Sequence, residues 1–181
     1  MSMRIAFSSQ PWLSSCKILL LAALLWMPAA HADDYADVNH LISAGQLPQA
    51  LAKADDYLAA RPRDPQMRFL KGVIQAQAGK RDEAIATLTQ ITEDYPELPE
   101  PYNNLAVLHA GQGQLDKARA ALEMAIRINP AYATAHENLG DVHARLASQS
   151  YSRALQLQAG NTDLPPKLAL IQQALAPAKA P

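Results

Sequence analysis

Apolar and polar positions along the chain recur with the period of a helix. In residues 115–128, Leu115, Ala118, Leu122, Ala125 and Ile126 fall on one face, and Lys117, Arg119, Glu123 and Arg127 fall off it. A stripe of that spacing is what an amphipathic helix buries. The same pattern predicts helices at 34–44, 47–60, 65–78, 81–94, 99–112 and 115–128, with more helix from 133 onward. Abundant Leu and Ala beside only 6% aromatic residues agree with an all-α chain.

The helical pattern is itself periodic. Pro62, Pro96 and Pro130 are evenly spaced, and Gly45, Gly79 and Gly113 keep the same interval of 34 residues, as do Ala50, Ala84 and Ala118. Leu88 and Leu122 repeat at that distance, and so do Leu105 and Leu139. The small residues let two helices approach closely. Gly113 can close a first helix in a left-handed conformation that a side chain would penalise. Asp64, Asp82 and Asp116 lie near helix starts, where a carboxylate can cap free N–H groups. Pro130 stops a second helix.

These residues resemble the tetratricopeptide repeat, a helix–turn–helix unit of 34 residues. The segment 99–132 carries the pattern most fully, with Tyr102, Leu105, Ala106, His109, Ala118, Leu122, Ala125 and Pro130 in the signature slots. The resemblance implies an α-solenoid: a right-handed superhelix of antiparallel helix pairs with a C-terminal capping helix. Its units are expected at 31–64, 65–98, 99–132 and 133–158, about 3.5–4 in all, within a domain spanning 33–160.

The fourth unit departs from the pattern. Leu139 and Gly140 are in register, but no glycine turn follows, and Tyr151–Leu157 arrives five residues early for a second helix. Either the turn is shortened around Ser148–Ser150, or one helix runs from about Thr134 to Gln158. Gly160–Asp163 breaks the chain. Leu168, Ile171 and Leu175 then predict a capping helix within 161–176, followed by a disordered tail at 177–181.

The first 32 residues differ in composition. They hold no Asp or Glu, two cations (Arg4 and Lys17), an apolar run from Ile18 to Ala30, and an Ala30–His31–Ala32 exit. That sequence describes a secretory signal peptide cleaved between Ala32 and Asp33. The run is short for a spanning helix, and an uncleaved inner-membrane anchor is the alternative. Cys16 precedes the apolar run, so it does not form a lipoprotein box. Cleavage would leave no Cys, which removes disulfide and thiol chemistry. The remaining 14 Lys and Arg against 17 Asp and Glu argue against nucleic acid, which needs clustered cations.

Enzymatic motifs are absent: no GxSxG, HExxH, GxxxxGK[ST] or GxGxxG occurs. No cofactor, metal or small-molecule substrate is expected. His109 and His143 occupy a slot in which a partly buried packing side chain is the ordinary occupant.

In solenoids of this family the first helix of each pair lines the inner curve, where ligands bind. By that register the candidate peptide-groove residues are Phe69, Val73, Asn103, Asn104, Val107, Glu137, Asn138, Asp141 and Arg145. Phe69, Val73 and Val107 could receive an apolar anchor, with Ala76, Ala110 and Gly111 leaving room for it. Asn104 and Asn138 could pair with a peptide backbone, or could bond within and between repeats. Family members that grip a carboxylate use paired inward Lys or Arg and Asn at slots filled here by Phe69, Val73, Asn103, Val107, Glu137 and Asp141. The resemblance therefore implies a non-enzymatic scaffold or adaptor that binds a protein or peptide on its concave groove. With the signal segment, that places it in the periplasm of a Gram-negative envelope. A periplasmic holdase resembling those of cytochrome c maturation and a self-assembling structural protein are the alternatives.

Overall fold

The computed structural model describes residues 30–176. Of the expected signal segment, 1–29 lies outside the described residues, and the expected tail 177–181 does too. Among the described residues there are eight helices and no strand: α1 (Ala30–Ser43), α2 (Leu47–Ala60), α3 (Pro65–Gln77), α4 (Arg81–Asp94), α5 (Pro99–Gly111), α6 (Leu115–Ile128), α7 (Ala133–Leu157) and α8 (Leu164–Ala174). None is long and apolar enough to cross a membrane. Contacts divide the chain into Met1–Ala36 and Asp37–Pro181. The described part of the first unit is the opening of α1, in whose first turn the Ala32–Asp33 bond falls. The stack of helices belongs to the second unit.

Three glycines make the hairpins. Gly45, Gly79 and Gly113 have φ of 70°, 76° and 74°, the left-handed region that costs a side-chain-bearing residue about 1–2 kcal/mol. Each turn has the same pair of bonds. After α5, the Gly113 N–H donates to the Ala110 carbonyl at 3.1 Å, and the Gln114 N–H reaches back to His109 at 2.9 Å. Lys80 to Gln75 and Gln46 to Leu41 repeat the longer bond at 2.9 Å. This is the Schellman closure, which satisfies carbonyls that a helix end leaves bare.

Helix starts are less uniform than the acidic residues suggest. Asp64 caps α3, accepting from the Met67 N–H at 2.8 Å. Asp82 and Asp116 do not cap. They lie one residue inside the first turns of α4 and α6, whose flanking residues Lys80 and Gln114 make no side-chain cap bond. There the two carboxylates act on the helix dipole, and Asp116 also pairs with Arg119 at 3.2 Å.

Each helix from α2 to α7 packs against its successor, and α5 also touches α3 and α7. One core cluster joins Ala106, Leu115, Ala118, Leu122, Ala125, Ala135 and Val142 from α5, α6 and α7. A second joins Leu88 and Ile91 of α4 to Leu105 of α5. Truncating a buried leucine such as Leu122 costs roughly 2–5 kcal/mol in sites of this kind. Surface ion pairs fasten neighbouring helices: Lys53 to Asp37, Lys71 to Asp55 at 2.7 Å, and Arg68 to Asp94 at 2.6 Å. The Arg68 hydrogen bond holds the Asp94 carboxyl below its ordinary range.

The fourth unit has no shortened turn. α7 runs 25 residues without interruption. The repeat interval places Ala147 where the other units have their turning glycine, and Ala147 continues the helix. The Ser150 hydroxyl donates to the Leu146 carbonyl at 2.9 Å, a partner that the helix itself supplies. The missing hairpin leaves a mark at Gly140. In the second unit a Cβ on Gly72 would lie 3.0 Å from Leu88 Cγ and Cδ2, because α4 crosses there. In register, Gly140 has nothing within 4 Å of the same position. α8 instead lies against α7, and Leu175 shares a shallow cavity with Ser148 and Gln149 of α7 and with Gly113 and Leu115 of the α5–α6 turn.

Two alanine substitutions in one register should therefore differ in sign. Gly140→Ala removes a mid-helix glycine in open space and raises unfolding free energy by about 1 kcal/mol. Gly72→Ala forces buried Leu88 to move and lowers it. Urea denaturation followed by circular dichroism measures both, and equal effects would refute the packing difference.

Candidate functional site

Small side chains on one inner helix leave space that the next inner helix does not fill. α5 presents Ala106, Val107, Ala110 and Gly111 toward α7, and α7 presents Asn138, Asp141, Val142 and Arg145. Between them is an open cleft of about 270 Å³ with Leu122 of α6 at its floor. The cleft exists because positions 106, 110 and 111 carry a methyl group at most. Val107 is 52% exposed, one of few large apolar side chains that the described residues leave in solvent. An apolar wall that water still covers is the part of such a site that gains most from an occupant.

One end of the cleft is closed by amides. The Asn138 Nδ2 donates to Asn103 Oδ1 at 2.8 Å, joining α7 to α5. Asn103 Nδ2 lies 3.4 Å from Asn104 Oδ1. Asn103 is only 5% exposed, so this bond satisfies an amide that would otherwise be buried unpaired. Acidic charge gathers toward this end. Burial pushes the Tyr132 hydroxyl above its ordinary range, and the Glu100 carboxylate adds to the effect. Asp141 and Arg145 lie one turn apart on α7. Among the described residues neither takes part in an ion pair.

Of the nine residues that the register assigns to the groove, the structure brings Val107, Asn138, Asp141 and Arg145 together in this cleft. Asn103 and Asn104 stand behind it in the amide chain, Asn103 facing the interior rather than the solvent. Phe69 is half-buried and lies outside this cleft. It packs against Leu88, Ile91 and Leu105, because a ring of that size at the α3–α5 approach fills the space between helices. Val73 is half-buried and Glu137 is exposed; both lie outside the cleft. Leu122 and Val142, missed by the register argument, form part of the lining. Both are buried core residues, and they back the cleft only because the residues opposite them are small.

The histidines do not share an environment. His109 Nδ1 is 2.9 Å from Gln114 Oε1, and His136 Nε2 is 3.0 Å from the Pro130 carbonyl. His143, expected to pack, is exposed, because no second helix of its unit covers it. Among the described residues no group of three or more His, Cys, Asp or Glu side chains is placed to hold a metal ion.

A stack of helical hairpins closed by left-handed glycines, with a cleft between inner helices, defines a repeat protein of the interaction type. Two family models agree: one described as "Tetratricopeptide repeat" matches residues 35–99, and one described as "TPR repeat" matches residues 110–146. The chain belongs to the tetratricopeptide-repeat family, whose members are generally non-enzymatic protein–protein interaction scaffolds. A search of curated proteins returned no significant match. Among solved structures, a thermophilic repeat protein of Thermus thermophilus, TTC0263, is 23% identical, with 80% of this chain and 82% of that one covered and a TM-score of 0.60. The Yersinia enterocolitica secretion chaperone SycD, solved with a peptide of the translocator YopD, is 14% identical over 63% of this chain and 92% of its own, with a TM-score of 0.57. YrrB, described as having an unusual peptide-binding site, is 27% identical over 57% of this chain and 54% of its own, with a TM-score of 0.54.

The amide bridge yields a stability test. Asn138→Ala strands the buried Asn103 carbonyl and should cost about 1–3 kcal/mol. A double-mutant cycle with Asn103→Ala should show coupling between the two positions. Additive losses would place the bridge outside the folded protein's energetics.

Proposed function

We propose that this chain is an exported adaptor that holds a segment of a partner protein in the cleft between α5 and α7. The observation that carries the reading is exposed Val107 above an unfilled apolar cavity between two fixed helices. A cleft that exists before binding lowers the ordering cost of capturing a flexible segment. The SycD complex and the binding site described for YrrB supply precedent for peptides on this fold. Export rests on the basic start, the apolar run from Ile18 to Ala30 and the Ala–His–Ala exit. The place of action is then the periplasm of a Gram-negative envelope, and an uncleaved segment would hold the same domain at the inner membrane.

Two measurements test this. Peptides selected from a displayed library on the purified chain should lose binding at least tenfold to Val107→Asp, a solvent-facing change that leaves helicity unchanged. Binding that survives would move the site off the α5–α7 cleft. N-terminal sequencing of the protein recovered from an osmotic-shock fraction should begin at Asp33. An intact N-terminus in the membrane fraction would instead support the anchored form.

A further inference from the structure

The chemistry of the cleft specifies its occupant more closely, on the premise that the cleft is the binding site. The open cleft of about 270 Å³ lies between α5 and α7, and an extended strand laid along it reaches both walls at once, because its successive side chains point to opposite sides. Charge decides the sequence. Asp141 and Arg145 are separated by one turn of α7, about 6 Å along its axis. Two residues of an extended strand span about 6.6 Å, and their side chains point the same way. The residue between them points to the opposite wall, which is Val107, Ala110 and Gly111 of α5.

We infer that the cleft takes an extended peptide segment with a Lys or Arg and an Asp or Glu two residues apart, and an apolar residue between them. The cation pairs with Asp141, at the end where Glu100 and Glu137 add negative charge. The anion pairs with Arg145. The apolar side chain rests on α5. Asn138 commits its Nδ2 to Asn103, and its Oδ1 accepts no bond from the described residues, which leaves it for an N–H of the strand.

Fluorescein-labelled peptides with Lys-Leu-Glu, Lys-Leu-Lys or Glu-Leu-Glu between Gly-Ser flanks test the assignment by anisotropy titration of the purified chain. Lys-Leu-Glu should bind tightest, with a loss of roughly two- to fivefold for each mismatched charge, the range for exposed ion pairs. The preference should fade at high salt. Arg145→Glu should turn the preference to Lys-Leu-Lys, and Asp141→Lys should turn it to Glu-Leu-Glu. An unchanged rank order in both variants overturns the assignment. Equal binding of all three peptides, abolished by Val107→Asp, overturns it while leaving the cleft as the binding site. Binding of none overturns both.

Discussion

Two helices of a hairpin can nest only where one of them carries almost no side chain. At Gly72 the margin is a single hydrogen: a methyl group there would press on Leu88 at 3.0 Å. In the third unit the equivalent slot is Ala106, clustered with Leu122 and Ala118. That close approach sets the depth at which each second helix buries its stripe. It also sets the angle at which the next first helix arrives, and so the distance between α5 and α7. The left-handed glycines serve the same contact, reversing the chain in few enough residues that the two helices meet at this slot.

The cleft follows from the same thrift in side-chain volume. Ala106, Ala110 and Gly111 fall on consecutive turns of α5, and nothing on α7 is long enough or apolar enough to fill the space they leave. The hydrogen bond from Asn138 to Asn103 then holds the two helices at a fixed separation at one end. A polar bridge beside an apolar gap keeps the cleft from collapsing, since moving α7 inward would break a bond to a buried amide. Structure and function share residues here, and the amide that preserves the gap also borders it.

Much of this was legible in the residues. A 34-residue interval in three residue types located α2 to α6 closely, because Gly and Pro act on the backbone locally, whereas α1 starts at Ala30, before the predicted 34. The left-handed turns at Gly45, Gly79 and Gly113 follow for the same reason. The continuous α7 was one of two readings that the sequence left open, since the want of a glycine near Ala147 does not exclude a tighter turn. The candidate site was only partly readable. Register assigns a face but not the rotation of one helix against the next, so Asn103 looked exposed and is turned inward, and Phe69 is half-buried against the core. Leu122 is closed core, as its stripe predicts, and still backs the cleft. Helix capping failed for a narrower reason: Asp82 and Asp116 come two positions after the cap, whereas Asp64 immediately precedes its helix.

The length of α7 has a mechanical consequence. At about 1.5 Å per residue, its 25 residues extend well past the level at which the preceding 14-residue helices end. The same rigid rod forms one wall of the cleft and carries α8 beyond the last hairpin. Force or docking at the C-terminal end is thereby levered onto Arg145 and Asp141, so the aperture of the cleft and the seating of α8 are not independent degrees of freedom.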